Sequence, residues 1–426
     1  MKTLILKNGW LISPEDKLSG KYDIKIEDGI ITDISDSISV NGGEEVLDCA
    51  DMIVSPAFVE LHSHMREPGF EEKETLETGL RAALKGGYGV VCAMANTKPV
   101  ADNEKIFEYV QNKAKEVSPI EFHQVCAVTQ GLTSKTLTDF EGLHKKGAIA
   151  FSNDGKPIED MDVLKKALEA AKKSDVLIML HSEVSALAAG GAVNEGKASD
   201  YLGVKGIPNE AESEAVKREL ETIRSVEGAR AHFCHISTRQ SVELIRQAKK
   251  EGLCVTAETA PHYFSLSDED ITSSDAKFKM NPPLRSRRDV EAIIEGIVDG
   301  TIDAVATDHA PHTNSEKMSG IQNAPMGIVG FETALPLVIT NLVKKNYIDL
   351  NRAIALLASN PTKILKLNKQ GTIKKGNISA LTVFHADRKH VVKGSEFVSK
   401  SKITPFENAE LSGKVEYVVI NGKIYS

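Results

Sequence analysis

Two hydrophobic rhythms run along this chain. From residue 3 to about residue 36, apolar and polar positions alternate in short runs such as Leu4-Ile5-Leu6-Lys7-Asn8-Gly9 and Tyr22-Asp23-Ile24-Lys25-Ile26-Glu27, the period of strands with one buried face. Asp28-Gly29, between the second run and Ile30-Ile31, predicts a hairpin turn. Matching material returns only after residue 371, in Leu381-Thr382-Val383-Phe384 and from Val415 to Ile424. Neither set is large enough to bury a core alone, so residues 1–55 and 369–426 are expected to build one small β-sandwich domain from both chain ends.

Between residues 56 and 368, apolar strand candidates alternate with stretches of helical period. The helical stretches include Thr75 to Lys85, Met161 to Lys173, Glu210 to Val226 and Ser241 to Lys250. The strand candidates run Ile53 to His64, Gly89 to Asn96, Glu121 to Thr129, Ala148 to Asp154, Val176 to Glu183, Ala231 to Ser237, Leu253 to Ala260 and Ala304 to His309. Strands that each lead into a helix or long loop, at this count, predict an α/β chain with a (β/α)8 TIM barrel. A doubly wound open sheet alternates similarly, but its ligands gather at one switch point rather than at many strand ends.

The polar residues favour the barrel. Strand ends carry His62 and His64, Asp154, His181, His235 and Asp308, and only strands that close on one another bring so dispersed a set to one mouth. Each has a bland alternative. A lone histidine at a strand end is most often a hydrogen-bonded core or surface group, and Asp154, before Gly155, could cap a turn. His62 and His64 are the more specific signal, because side chains two apart on a strand share one face, and Arg66 continues the same spacing. Asp308 follows the apolar run Ile302 to Ala306 and needs a partner or a metal to offset desolvation. His309 should point the other way, to support a ligand from behind or to pack. Glu258 could orient a ligand or tie barrel loops together, while Glu67, Glu71, Lys73 and Glu74 read as a solvated helix start. Four histidines and two carboxylates exceed a structural zinc site and suit one or two zinc ions, or another late first-row divalent metal, in hydrolytic chemistry.

Composition narrows the setting. The chain has 426 residues, 41% apolar and 26% charged, a soluble globular balance without an uncharged stretch long enough for a bilayer or a signal-like N-terminus. A cytoplasmic location is expected, with no membrane partner. The net charge of -8 without a dense Lys/Arg block argues against a nucleic-acid partner. The five cysteines lack paired metal-ligand spacing and read as reduced, mostly core residues.

The segments His62-Ser63-His64-Met65-Arg66-Glu67-Pro68-Gly69, Ala95-Asn96-Thr97, Asn281-Pro282-Pro283-Leu284-Arg285 and Thr307-Asp308-His309-Ala310-Pro311-His312 closely resemble the dihydroorotases of the long bacterial type, within the amidohydrolase superfamily. The similarity spans nearly the whole chain, including a Gly371-Thr372-Ile373-Lys374-Lys375-Gly376 return to the small domain. It implies reversible opening of dihydroorotate to N-carbamoyl-L-aspartate in pyrimidine synthesis. It also implies that His62, His64 and Asp308 hold one metal, that His181 and His235 hold a second, and that Asp154 bridges them. Asp308 would be the catalytic acid and base. Arg66, Asn96 and His312 would bind the substrate carboxylate, Asn281 the ring, and Met326 and Gly327 would form a contacting loop. Two positions depart from the family pattern: Asn153 replaces a second aspartate, and Pro325-Met326-Gly327 replaces Pro-Phe-Gly. The resemblance leaves open another cyclic amidohydrolase, such as an allantoinase or hydantoinase, and a silent homologue supporting aspartate carbamoyltransferase. A homodimer, and association with aspartate carbamoyltransferase, are further expectations of the family.

Overall fold

The structure is a computed structural model that describes residues 2–426. Eight strands carry the middle of the chain: Phe58–Ser63, Tyr88–Ala93, Glu121–Gln124, Ala150–Ser152, Leu177–Leu180, Ala231–Phe233, Val255–Thr259 and Ala304–Val305. Their pairings are all parallel. The first three form one ladder and the other five a second. Parallel bridges between Cys126 and Phe151 and between Ser63 and His309 join the ladders at both seams, so the ring closes as a (β/α)8 barrel.

The period-two pattern explains how the barrel is covered on both faces. Along the fifth strand, Ile178 and Leu180 join the large apolar cluster shared with the helices, whereas Leu177 and Met179 join a second cluster with Ile364 and Leu365. The helices supply the other half of that packing. In Met161–Ser174, Asp160 caps the first turn by accepting from Asp162 and Val163 N–H, and Leu164, Ala167, Leu168 and Ala171 form the buried face. Thr75 and Thr238 cap Leu76–Lys85 and Arg239–Lys250 in the same way.

Both chain ends meet in one mixed sheet, ordered Lys423–Tyr425, Glu410–Ile420, Ala380–Val391, Ile53–Pro56, Thr3–Ser13, Leu18–Glu27, Ile30–Ser35, with Glu45–Asp48 also paired to Thr3–Ser13. The sandwich is thus hydrogen-bonded as one continuous sheet, and Leu4, Ile24, Leu381 and Val419 from its two ends share one apolar cluster. Asp28 and Gly29 form the expected hairpin turn with φ of 48° and 84°. The run Ile53 to His64 is not one strand. Ala57 N–H still donates to Ala380 in the terminal sheet, whereas Phe58 N–H donates to Gly87 in the barrel, so the chain changes sheets between them. No helix among the described residues is long and apolar enough to cross a membrane.

Candidate metal centre and active site

The barrel strands are shorter than their apolar runs, and the residues beyond their ends build the site. His62 lies within the first strand, but His64, Asp154, His181, His235 and Asp308 all follow the last residue of theirs. Arg66, His235 and Asp308 have φ of 60°, 35° and 47°, a left-handed conformation that costs a non-glycine residue energy and persists only where its surroundings enforce it. Strand alternation therefore does not aim Arg66, as the spacing suggested; a turn beyond the strand does. A left-handed residue at Asp308 likewise turns the chain between it and His309. The His309 ring stacks on Phe331 at 4.2 Å and its Nδ1 accepts Gly330 N–H, the packing role expected of it.

All six predicted ligands converge. Asp154 Oδ1 lies 3.3 Å from both His62 Nε2 and His181 Nδ1 and 3.4 Å from His235 Nε2, while its Oδ2 is 3.4 Å from His64 Nε2. Asp308 Oδ1 is 3.2 Å from His64 Nε2 and 3.7 Å from His62 Nε2. Of three clusters of donor groups, two, His62–His64–Asp154 and Asp154–His181–His235, share Asp154, and the third joins His62 with Cys234 and Glu258. The donor set fits divalent metal ions. Donors on a tetrahedral zinc sit about 3.3 Å apart, the spacing found here, and buried His62 Nε2 has no hydrogen-bond partner among the described residues. Burial raises the Asp154 carboxyl, but His62, His181 and His235 hold it well below the usual range. Asp308, buried as well, is held at about 2 by His64, His62 and His235.

Buried polar groups around the ligands fix their orientation. Glu258, fully buried, accepts from His62 Nδ1 at 3.1 Å and from His232 Nε2 at 3.0 Å, and His232 Nδ1 meets Thr256 Oγ1 at 2.8 Å. Burial would raise Glu258, yet the two imidazoles bring it down to about 2. Glu258 thus orients the His62 ring, the first of the two roles the sequence left open to it. Asn96 Oδ1 holds His64 Nδ1 at 2.9 Å. Glu60 closes the seam between the first and last strands: its Oε1 accepts from the N–H groups of both His62 and Thr307 at 2.9 Å. Sequence reasoning missed Glu60 and His232. The available signal was a polar residue inside an otherwise apolar strand. Asn153 faces away from the ligands, its Oδ1 accepting Thr129 N–H and its Nδ2 donating to Thr129 Oγ1.

Above the ligands lies a cavity of about 230 Å³ whose walls include Arg66, Asn96, Asn281, Met326 and Gly327. Arg66 Nε donates to Pro311 O at 3.1 Å, and no carboxylate among the described residues pairs with the guanidinium. Burial lowers it only to about 10, so it stays cationic. Asn281 Nδ2 donates to Glu183, leaving its buried Oδ1 unpartnered. His312 stands behind this wall, with Nε2 2.8 Å from Met326 O and 3.3 Å from Arg66 Nη2. In the segment from Glu67 to Glu74, Glu71 is exposed as the solvated reading expects, but Glu67, Lys73 and Glu74 depart from it. Glu67 accepts Leu76 N–H, Lys73 reaches His312 Nδ1 at 3.4 Å, and fully buried Glu74 accepts from Ser399 Oγ and Lys400 N–H. Of the five cysteines, all free, Cys254 alone is exposed.

Comparison with known proteins matches this geometry. Residues 51–241 match a family model described as Dihydro-orotase-like. A dihydroorotase of Acetivibrio thermocellus is 42% identical over 421 residues, 99% of this chain and 98% of that protein, and one of Bacillus cereus is 41% identical over 420 residues, 99% and 97%. Among solved structures, an L-hydantoinase (dihydropyrimidinase) from Arthrobacter aurescens superposes with a TM-score of 0.89 at 24% identity, covering 100% of this chain and 96% of that one. A dihydropyrimidinase from Brevibacillus agri gives 0.85 at 21%, covering 99% and 94%. The hydantoinases share the fold; the full-length identity to the dihydroorotases goes further, and with two triads meeting at Asp154 it establishes that this chain belongs to the dihydroorotase family.

Proposed function

We propose that the chain is a zinc-dependent dihydroorotase, which reversibly hydrolyses dihydroorotate to N-carbamoyl-L-aspartate for pyrimidine biosynthesis in the cytoplasm. The observation that carries this reading is a pair of candidate ligand triads sharing one aspartate beneath a half-buried arginine that no carboxylate among the described residues pairs with. Imidazole and carboxylate donors suit zinc. His62, His64 and Asp308 would hold one ion, His181 and His235 the other, and Asp154 both. Bound zinc acidifies water and polarises a carbonyl.

The remaining work falls to the chain's own groups. Asp308 accepts a proton from the attacking water and returns it to the ring nitrogen as the ring C–N bond breaks. In the reverse direction its protonated form activates the carboxyl group that the ureido nitrogen attacks. Arg66 holds the substrate carboxylate through a directed fork of donors. Asn96 and Asn281 offer amide groups to the anion and the ring, and the Met326–Gly327 backbone walls the ring in. His312 braces that wall beside Arg66. A half-buried cation at the mouth selects a ring that bears a carboxylate, which distinguishes dihydroorotate from hydantoin and allantoin.

The test compares turnover of dihydroorotate, allantoin and hydantoin with metal content measured on the same sample. The expected result is preference for dihydroorotate, lost on chelation and restored by zinc. Preference for another ring, full turnover in metal-free protein, or no turnover of any, as in a silent partner of aspartate carbamoyltransferase, overturns the proposal.

A further inference from the structure

The wall formed by Pro325, Met326 and Gly327 has no backbone ladder over those three carbonyls. Side chains take all of them. Lys317 Nζ donates to Pro325 O at 3.2 Å and to Gly327 O at 2.8 Å, and His312 Nε2 donates to Met326 O. The third hydrogen of Lys317 goes to Lys279 O at 3.0 Å, the same oxygen that accepts Gly327 N–H. Lys317 is 3% exposed, ends the short helix Asn314–Lys317 and pairs with no carboxylate among the described residues. An ammonium has three donors and no acceptor, so the site uses its full capacity. Burying that charge is costly, and the bonds that offset the cost all converge on the wall and the loop behind it.

The geometry assigns Lys317 as the positioning residue that sets the shape of the substrate-contacting wall. It does not line the cavity; Met326 and Gly327 do. Gly327 itself cannot be held by side-chain packing, because at φ 135° a Cβ there would come within 2.6 Å of Ala310 O. The neutral alternative, a packed apolar side chain at 317, would leave Gly327 O buried without a donor, strip half-buried Pro325 O of its own, and free the wall to shift. The wall touches substrate before and during reaction, so a shifted wall weakens binding uniformly and raises KM rather than lowering kcat. This inference rests on the dihydroorotase reading above and extends it to what fixes the binding surface.

The experiment uses full-length, zinc-loaded protein and compares wild type with Lys317→Met and Lys317→Gln. For Lys317→Met, KM for dihydroorotate should rise about tenfold with kcat within about threefold, and metal content should match wild type. Amide exchange of the peptide spanning 320–330 should accelerate about tenfold while that of the helix Met161–Ser174 stays unchanged. Lys317→Gln, which retains donors, should fall between. Unchanged KM and exchange in Lys317→Met overturn the assignment. So does loss of folding in both variants, which would make Lys317 a general core residue, and so does a fall in kcat alone. Absence of dihydroorotate turnover in the wild type refutes the underlying reading instead; the exchange measurement still decides whether Lys317 holds the wall.

Discussion

Replacing Glu258 separates ligand orientation from ligand supply, because Glu258 itself is not required in either triad that shares Asp154. Its two oxygens serve His62 Nδ1 and His232 Nε2, and both rings and the carboxylate are fully buried. Glu258→Ala leaves two ring N–H groups without an acceptor, at about 1–3 kcal/mol each, so unfolding free energy should drop by about 2–6 kcal/mol. Loss of such a partner typically weakens metal binding by about 10–100-fold. Glu258→Gln should be milder. Its carbonyl can still accept from His62, and its amide can donate to His232 once that ring moves its proton to Nδ1 to face Thr256 Oγ1. Geometry then survives and only the negative charge is lost, which places its metal affinity loss near the lower, about tenfold, end. Urea unfolding of metal-free protein measures the first effect, and zinc competition with a chelator of known affinity the second. If Glu258→Ala unfolds within about 0.5 kcal/mol of wild type and binds zinc equally well, Glu258 does not orient His62 and the reasoning fails.

Other substitutions probe the remaining roles. Asp308→Asn should lower turnover in both directions at least about a thousandfold while the Asp154–His181–His235 triad still binds metal, read by steady-state kinetics and metal analysis. Arg66→Lys keeps the charge but loses the fork, so KM for dihydroorotate should rise about tenfold or more with metal content unchanged. Asn153→Asp restores the family residue at a side chain bonded to Thr129 rather than to the ligands. It should therefore leave kcat and zinc affinity within about threefold and shift stability by about 1 kcal/mol, as measured by kinetics and thermal unfolding. Because the ligand imidazoles must be neutral to bind, apparent zinc affinity should fall steadily as pH is lowered from 8 to about 6, which chelator competition at each pH checks.

The chain itself determined the alternation of strand and helix, since a period of two or 3.6 is a local property that neighbouring residues display directly. It also marked the candidate ligands: His62, His64, Asp154, His181, His235 and Asp308 stand at ends of apolar runs, and only a closed ring brings such ends together. What it left undecided depends on partners far away in sequence. Glu60 meets Thr307, 247 residues on, and Glu74 meets Ser399, 325 residues on; an apolar strand around Glu60 marks it as buried but does not name its partner, and nothing local marks Glu74 at all. The left-handed turn that carries Arg66 into the cavity, the rotation of Asn153 away from it and the three carbonyls gathered on Lys317 are likewise set by packing between separate loops. Residue type and spacing specify which groups are available, whereas burial and hydrogen-bond completion, which arise only when the barrel closes, specify where each one points.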